Sequence, residues 1–104
     1  MSFFSSIFGN SGSSVNLAEV ISEGAFLVDV RTPSEFASGS VKGAVNIPLD
    51  AVMQNLARFK DKKNIVVFCR SGNRSGQAKS ILEQNGLKNV FNGGTWEDVA
   101  RLVK

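Results

Sequence analysis

The chain has 104 residues, 42% apolar and 20% charged, with a formal net charge of +3, the size and balance of one soluble domain with one modest core. A single cysteine excludes an internal disulfide and fits a reducing, cytoplasmic setting. The absence of histidine excludes a Ser-His-Asp triad, a Cys-His pair and most zinc chemistry.

The positive charge is scattered, as in Lys60, Lys62 and Lys63 beside Asp61, and reads chiefly as a solvated surface. It suits a small anionic ligand, and nucleic acid is not expected because no basic stripe interleaves with aromatics. At the N-terminus, Phe3, Phe4, Ile7 and Phe8 have helical spacing ahead of a Gly/Ser stretch. Residues 1–14 are therefore expected to form a short helix or linker that docks on the domain or on a partner, with the domain itself over 15–104. The basic region and longer apolar core of a signal peptide are missing, and nothing approaches a membrane span, so membrane anchoring is not expected.

From Asn16 onward, helix and strand patterns alternate. Asn16 and Glu19 have capping-box spacing for a helix bearing Leu17, Val20 and Ile21, which Gly24 ends. The run AFLVDV (25–30) is apolar except for Asp29, as in a strand covered on both faces. Thr32, Pro33 and Glu35 mark a second helix start. A short strand AVNI (44–47) stops at Pro48, and Asp50 is expected to cap a helix carrying Val52, Leu56 and Phe59. NIVVF (64–68) is the strongest strand. A helix with Ala78, Ile81 and Leu82 follows and closes at Asn85-Gly86. A brief strand (89–91) and a helix from Thr95, with Trp96, Val99 and Val103 on one face, complete the series. Such alternation on short connections predicts a single α/β domain with a parallel sheet, whose ligands bind outside the carboxyl ends of the strands.

The sequence CRSGNRS (69–75) sits at that end of the strongest strand. Cys69 precedes a helix start, Arg70 and Arg74 are near in sequence, and Ser71, Gly72 and Asn73 are small enough for several N–H groups to converge. All of these features lower a thiol pKa from its ordinary value of about 8.5. Three readings compete. Cys69 is a buried small hydrophobe at a strand end, or the nucleophile of a cysteine phosphatase, or a carrier of sulfur. The phosphatase signature has one residue more between cysteine and arginine than the four here, and no carboxylic acid lies inside the loop to protonate a leaving alcohol.

LVDVRTPSEFASGSVKGAVNIP (27–48), VVFCRSGNRS (66–75) and VFNGGTWEDV (90–99) resemble the three signature stretches of the rhodanese family of sulfurtransferases, in order and at family spacing. The loop CRSGNR is similar to those of single-domain thiosulfate sulfurtransferases. The resemblance implies a rhodanese-like α/β domain, a small central parallel sheet flanked by helices on both faces. It implies that Cys69 takes a sulfane sulfur as a persulfide, with N–H groups of Arg70, Ser71, Gly72, Asn73, Arg74 and Ser75 around the terminal sulfur. Arg70 and Arg74 would orient an anionic donor such as thiosulfate, and an acceptor thiol, cyanide or a protein would then remove the sulfur, a ping-pong scheme. Neither a cofactor nor a metal is implied, and a monomer or weak dimer is expected.

Asp29 and Arg31 match a family signature and are expected either to orient the loop from behind or to form a structural ion pair. Glu35 is assigned to helix capping, Gly93 and Gly94 to a tight turn beside the site, and Trp96 to the core or pocket wall. Ser40 and Lys42 stand where the family commonly has histidine and proline, a departure expected to loosen that turn. A non-catalytic docking module of the same fold is the alternative.

Overall fold

A computed structural model describes residues 16–103; the segment expected to form an N-terminal helix or linker, residues 1–14, lies outside the described residues. The elements alternate as the sequence predicts: α1 (Leu17–Ser22), β1 (Phe26–Asp29), α2 (Pro33–Ala37), β2 (Val45–Asn46), β3 (Ile65–Cys69), α3 (Asn73–Gln84), β4 (Val90–Thr95) and α4 (Trp96–Leu102). The strands form one parallel sheet in the order β2-β1-β3-β4, so the chain is α/β.

The pattern of β3 follows from its central position. All five of its residues are buried, because helices or 3-10 turns cover both faces of the sheet. Ile65, Val67 and Cys69 face one core with Val28, Val52, Phe59, Ala78 and Leu82. Val66 and Phe68 face the other with Leu27, Val41 and Val99, flanked by Leu17 and Trp96. The alternation is the two-residue period of a strand, with both sides apolar instead of one. At roughly 1.5–3 kcal/mol for each fully buried large apolar side chain, β3 is the anchor of the domain.

Two sequence-level expectations are corrected. The segment after Pro48 is not an α-helix capped by Asp50 but two 3-10 segments, Leu49–Ala51 and Met53–Phe59, without a side-chain cap at either start. Asn55 breaks regular geometry at φ −120° and ψ 23°, and its side-chain amide donates to the Ala51 carbonyl at 2.8 Å, substituting for a helical bond. Val52 and Phe59 nonetheless reach the core, so the apolar spacing was sound while the helix type was not.

Gly93 and Gly94 likewise lie within β4 instead of making a tight turn. The register with β3 shifts from Val67–Asn92 to Phe68–Gly94, which leaves Gly93 as the extra residue of a bulge. A Cβ on Gly93 would come within 2.6 Å of Val99 Cγ2 and 3.0 Å of Val66 Cγ1, so α4 can pack there only against glycine. Gly94 has φ +82°, a conformation that favours glycine.

The strand order carries the functional consequence. From β1 the chain moves to β2 on one side, and from β3 it moves to β4 on the other, so the switch falls between β1 and β3. Asp29 and Cys69 end those two strands, at the position where open α/β sheets bind ligands.

Candidate active site

Cys69 is the last residue of β3 and is fully buried. The chain turns from this strand into α3 through Gly72, which caps the helix with φ +94°. The left-handed glycine points its own N–H back at the sulfur, with Gly72 N donating to Cys69 Sγ at 3.0 Å. Ser75 N donates to the same atom at 3.4 Å, and the Ser75 hydroxyl lies 3.4 Å from it. Burial pushes the Cys69 thiol up, but hydrogen bonds available to its thiolate outweigh that effect and hold it below its ordinary value. They come from the Ser75 hydroxyl and from the N–H groups of Ser75, Ser71 and Gly72.

The remaining loop residues are placed differently. Arg70, Ser71 and Asn73 are exposed at the rim. The Asn73 side chain accepts from Gln77 Nε2 at 3.0 Å along the helix surface. Arg74 is held by Glu35 of α2 in a bidentate pair, Nη1 to Oε1 at 2.8 Å and Nη2 to Oε2 at 3.1 Å. Both side chains are about one-third exposed, at 33% and 30%. Hydrogen bonds from Arg74 and Thr32 hold the Glu35 carboxyl down to about 2, and the Arg74 guanidinium is raised mainly by Glu35, with Cys69 and Asp29 adding to it. Glu35 thus has two roles. It completes the α2 capping box, with Thr32 N donating to Oε1 at 3.0 Å and Glu35 N to Thr32 Oγ1 at 3.2 Å, and it anchors the loop arginine.

Asp29 and Arg31 form a buried pair. Arg31 Nη2 donates to Asp29 Oδ2 at 2.7 Å, Nε donates to both carboxylate oxygens at 3.0 Å, and Arg31 N donates to Oδ1 at 2.9 Å. Arg31 also donates to the Gly39 carbonyl at 2.6 Å and lies 5.1 Å from the centre of the Trp96 ring. Among the described residues, the hydrogen bonds of these two side chains run to each other, Gly39 and Ser40, and none reaches residues 70–75. Asp29 reaches the loop only electrostatically, by helping to raise the Arg74 guanidinium.

Ser40 turns out to be tied rather than loose. Its hydroxyl donates to Asp29 Oδ2 at 2.7 Å and joins the turn to the end of β1, while Lys42 points into solvent. Trp96 covers the Arg31 guanidinium and packs with Phe68 and Val99, part of the core wall.

Sequence reasoning missed Asn92. Its Oδ1 accepts from the Ser75 hydroxyl at 2.7 Å and from Gly94 N at 2.9 Å, and its Nδ2 donates to the Gly72 carbonyl at 3.1 Å. The available signal was a lone amide side chain next to a glycine pair at a strand end, which alone says nothing of the cysteine loop.

A family profile described as Rhodanese-like domain matches residues 14–96. Thiosulfate sulfurtransferase PspE of Escherichia coli is 41% identical over 75 residues, a match covering 70% of this chain and 72% of that protein. A sulfurtransferase of Allochromatium vinosum is 37% identical over 70 residues, covering 67% of this chain and 65% of the relative. Among solved structures, a rhodanese with anions from E. coli superposes with a TM-score of 0.67 at 39% identity, covering 74% of this chain and 93% of that one. The fold, the cysteine-bearing loop at the sheet's switch point and these matches define the class: the chain belongs to the rhodanese family, among relatives named as sulfurtransferases.

Proposed function

We propose that this protein is a sulfurtransferase that carries a sulfane sulfur on Cys69. The observation that carries this reading is the pair of backbone donors on a single buried sulfur, Gly72 N at 3.0 Å and Ser75 N at 3.4 Å, with the Ser75 hydroxyl 3.4 Å away. Such a site favours anionic sulfur without a general base, and the absence of histidine is therefore compatible with the chemistry.

In the first half-reaction the Cys69 thiolate attacks the outer, sulfane sulfur of thiosulfate. The new bond joins Sγ to that sulfur, the old sulfur–sulfur bond breaks, and sulfite leaves with its electron pair. In the second, cyanide or an acceptor thiolate attacks the outer sulfur of the persulfide. Thiocyanate or a new persulfide departs, and the Cys69 thiolate is regenerated. N–H groups of the loop from Arg70 through Ser75 stabilise the negative charge on sulfur, as an oxyanion hole does for oxygen. Arg70 at the rim supplies attraction for the anionic donor, and Arg74, shared with Glu35, orients it. The acceptor is a small thiol, cyanide or a protein.

The phosphatase alternative is disfavoured by Glu35. It is the carboxyl paired with the loop arginine, and at about 2 it is ionised at neutral pH, unable to protonate a leaving alcohol. Initial rates with thiosulfate and cyanide both varied test the proposal. Parallel double-reciprocal lines, sulfite release independent of cyanide in the first turnover and no hydrolysis of a phosphomonoester are expected. Intersecting lines with no burst of sulfite would refute the covalent carrier.

A further inference from the structure

The Asn92 carboxamide has a fixed orientation. Oδ1 faces the Gly94 N–H at 2.9 Å and Nδ2 faces the Gly72 carbonyl at 3.1 Å, so turning the amide over would set donor against donor and acceptor against acceptor. Oδ1 carries no hydrogen. The Ser75 hydroxyl, 2.7 Å from it, is therefore the donor in that contact. A hydroxyl has one hydrogen, and while it serves Asn92 it cannot serve Cys69. The 3.4 Å contact between Ser75 Oγ and Cys69 Sγ, in which either atom can donate, is then made by the thiol S–H. The arrangement is that of the protonated sulfur. Once Cys69 ionises, the Ser75 hydrogen can reach the thiolate only by leaving Asn92, whose Oδ1 keeps the Gly94 N–H as its partner.

We propose that Asn92 is a positioning residue that sets the pH at which Cys69 ionises, by competing with the sulfur for the single hydroxyl proton of Ser75. The charged groups near the sulfur are Arg70, next in the chain and exposed, Arg74 of α3, paired with Glu35 of α2, and the Asp29–Arg31 pair at the end of β1; Asn92 is the contribution of β4 and is uncharged. No proton is created or consumed by the handover. The thiol proton leaves to solvent, and the Ser75 hydrogen turns from one acceptor to another. The proposal rests on Cys69 as the reacting thiol, but its consequence for ionisation holds with no sulfur donor present.

The chain has one cysteine and no tyrosine, so the ultraviolet absorbance of the thiolate can be titrated without tyrosinate interference. Asn92→Ala is expected to lower the Cys69 midpoint by about half a unit to one unit, the scale of the neutral Ser75–Asn92 hydrogen bond that ionisation no longer has to give up. Gly72 O keeps its bond from Gly76 N at 3.0 Å in that variant, so the loop retains its helical anchor. In a Ser75→Ala background the same substitution is expected to shift nothing. A midpoint that stays or rises in Asn92→Ala, or a fall that persists without the Ser75 hydroxyl, overturns the proposal. Asn92→Asp is the second variant, and serves if the alanine does not fold. It keeps an acceptor of greater strength and should raise the midpoint more when Ser75 is present than when it is replaced by alanine. An equal rise in both backgrounds is a bare charge effect and also overturns the proposal. Absence of sulfur transfer by the wild type, with these midpoint shifts observed, would refute the catalytic reading alone.

Discussion

Replacing Asp29 with asparagine removes one charge from a buried pair while keeping the side chain's shape. Asp29 is fully buried and Arg31 is 5% exposed, so the arginine left behind cannot simply hydrate. Removing one partner of such a pair costs about 3–5 kcal/mol, and asparagine, which still accepts from Arg31 or Ser40, belongs near the lower end, at about 3 kcal/mol. For a domain of this size each kcal/mol is worth about 4–8 °C, so the melting temperature should fall by roughly 12–24 °C. The double variant Asp29→Asn/Arg31→Met should recover much of the loss, because it removes the stranded charge and leaves an apolar chain against Trp96. Circular dichroism melts give the stability. Thiosulfate-to-cyanide rates, measured well below each variant's melting range, give the chemistry. If the pair is structural, kcat/KM of folded Asp29→Asn stays within roughly twofold of the wild type. A melting temperature changed by only a few degrees, together with a tenfold or greater fall in kcat/KM on the scale of about 1.4 kcal/mol, would refute this reasoning and make the pair part of the reaction.

Two further outcomes are expected. Gly93→Ala drives a methyl group to 2.6 Å from Val99 Cγ2 and should cost about 1–3 kcal/mol in urea unfolding, a penalty relieved in a Val99→Ala background; an equal penalty in both backgrounds would show that the contact is not the cause. Glu35→Gln keeps the capping-box geometry but releases Arg74 from a charged partner, so KM for thiosulfate should fall roughly threefold at low ionic strength with kcat unchanged, and the effect should fade with salt; a higher KM would mean that Glu35 orients Arg74 for the donor instead of competing with it.

What was legible in the sequence is what depends on neighbours along the chain. The apolar run ending at Cys69, the Thr32–Glu35 capping box and the Gly-bearing loop into α3 each declare themselves within a few residues. The Asn16 cap is present as well, with Glu19 N donating to Asn16 Oδ1 at 3.2 Å. Residues 49–59 misled because apolar spacing near three and four fits α-helix and 3-10 helix alike; what distinguishes them is the backbone bonding of Ala51, Val52, Asn55 and Lys60 to carbonyls three residues back, with the break in geometry at Asn55. Gly93 and Gly94 misled because a glycine pair fits both a turn and a bulge; the deciding fact is the approach of Val99 from α4.

The site shows the same division. Cys69, Gly72 and Ser75 are gathered by one strand–loop–helix unit and could be read together. Glu35 with Arg74, Ser40 with Asp29 and Asn92 with Ser75 come from separate elements, 39, 11 and 17 residues apart, and only the parallel sheet brings them to one end. Glu35 was explained by its cap, a role that hid its second one. Ser40 looked like the loss of a family residue, whereas its hydroxyl donates to the buried carboxylate of Asp29.

The central claim is that Cys69 carries a transferable sulfur, and intact-mass measurement after incubation with thiosulfate tests it most directly. The wild type should gain the mass of one sulfur atom, lose it on addition of cyanide, and show no such gain as Cys69→Ala. Absence of the adduct with thiosulfate and with every persulfide donor tried, or an adduct that persists in Cys69→Ala, would contradict the account.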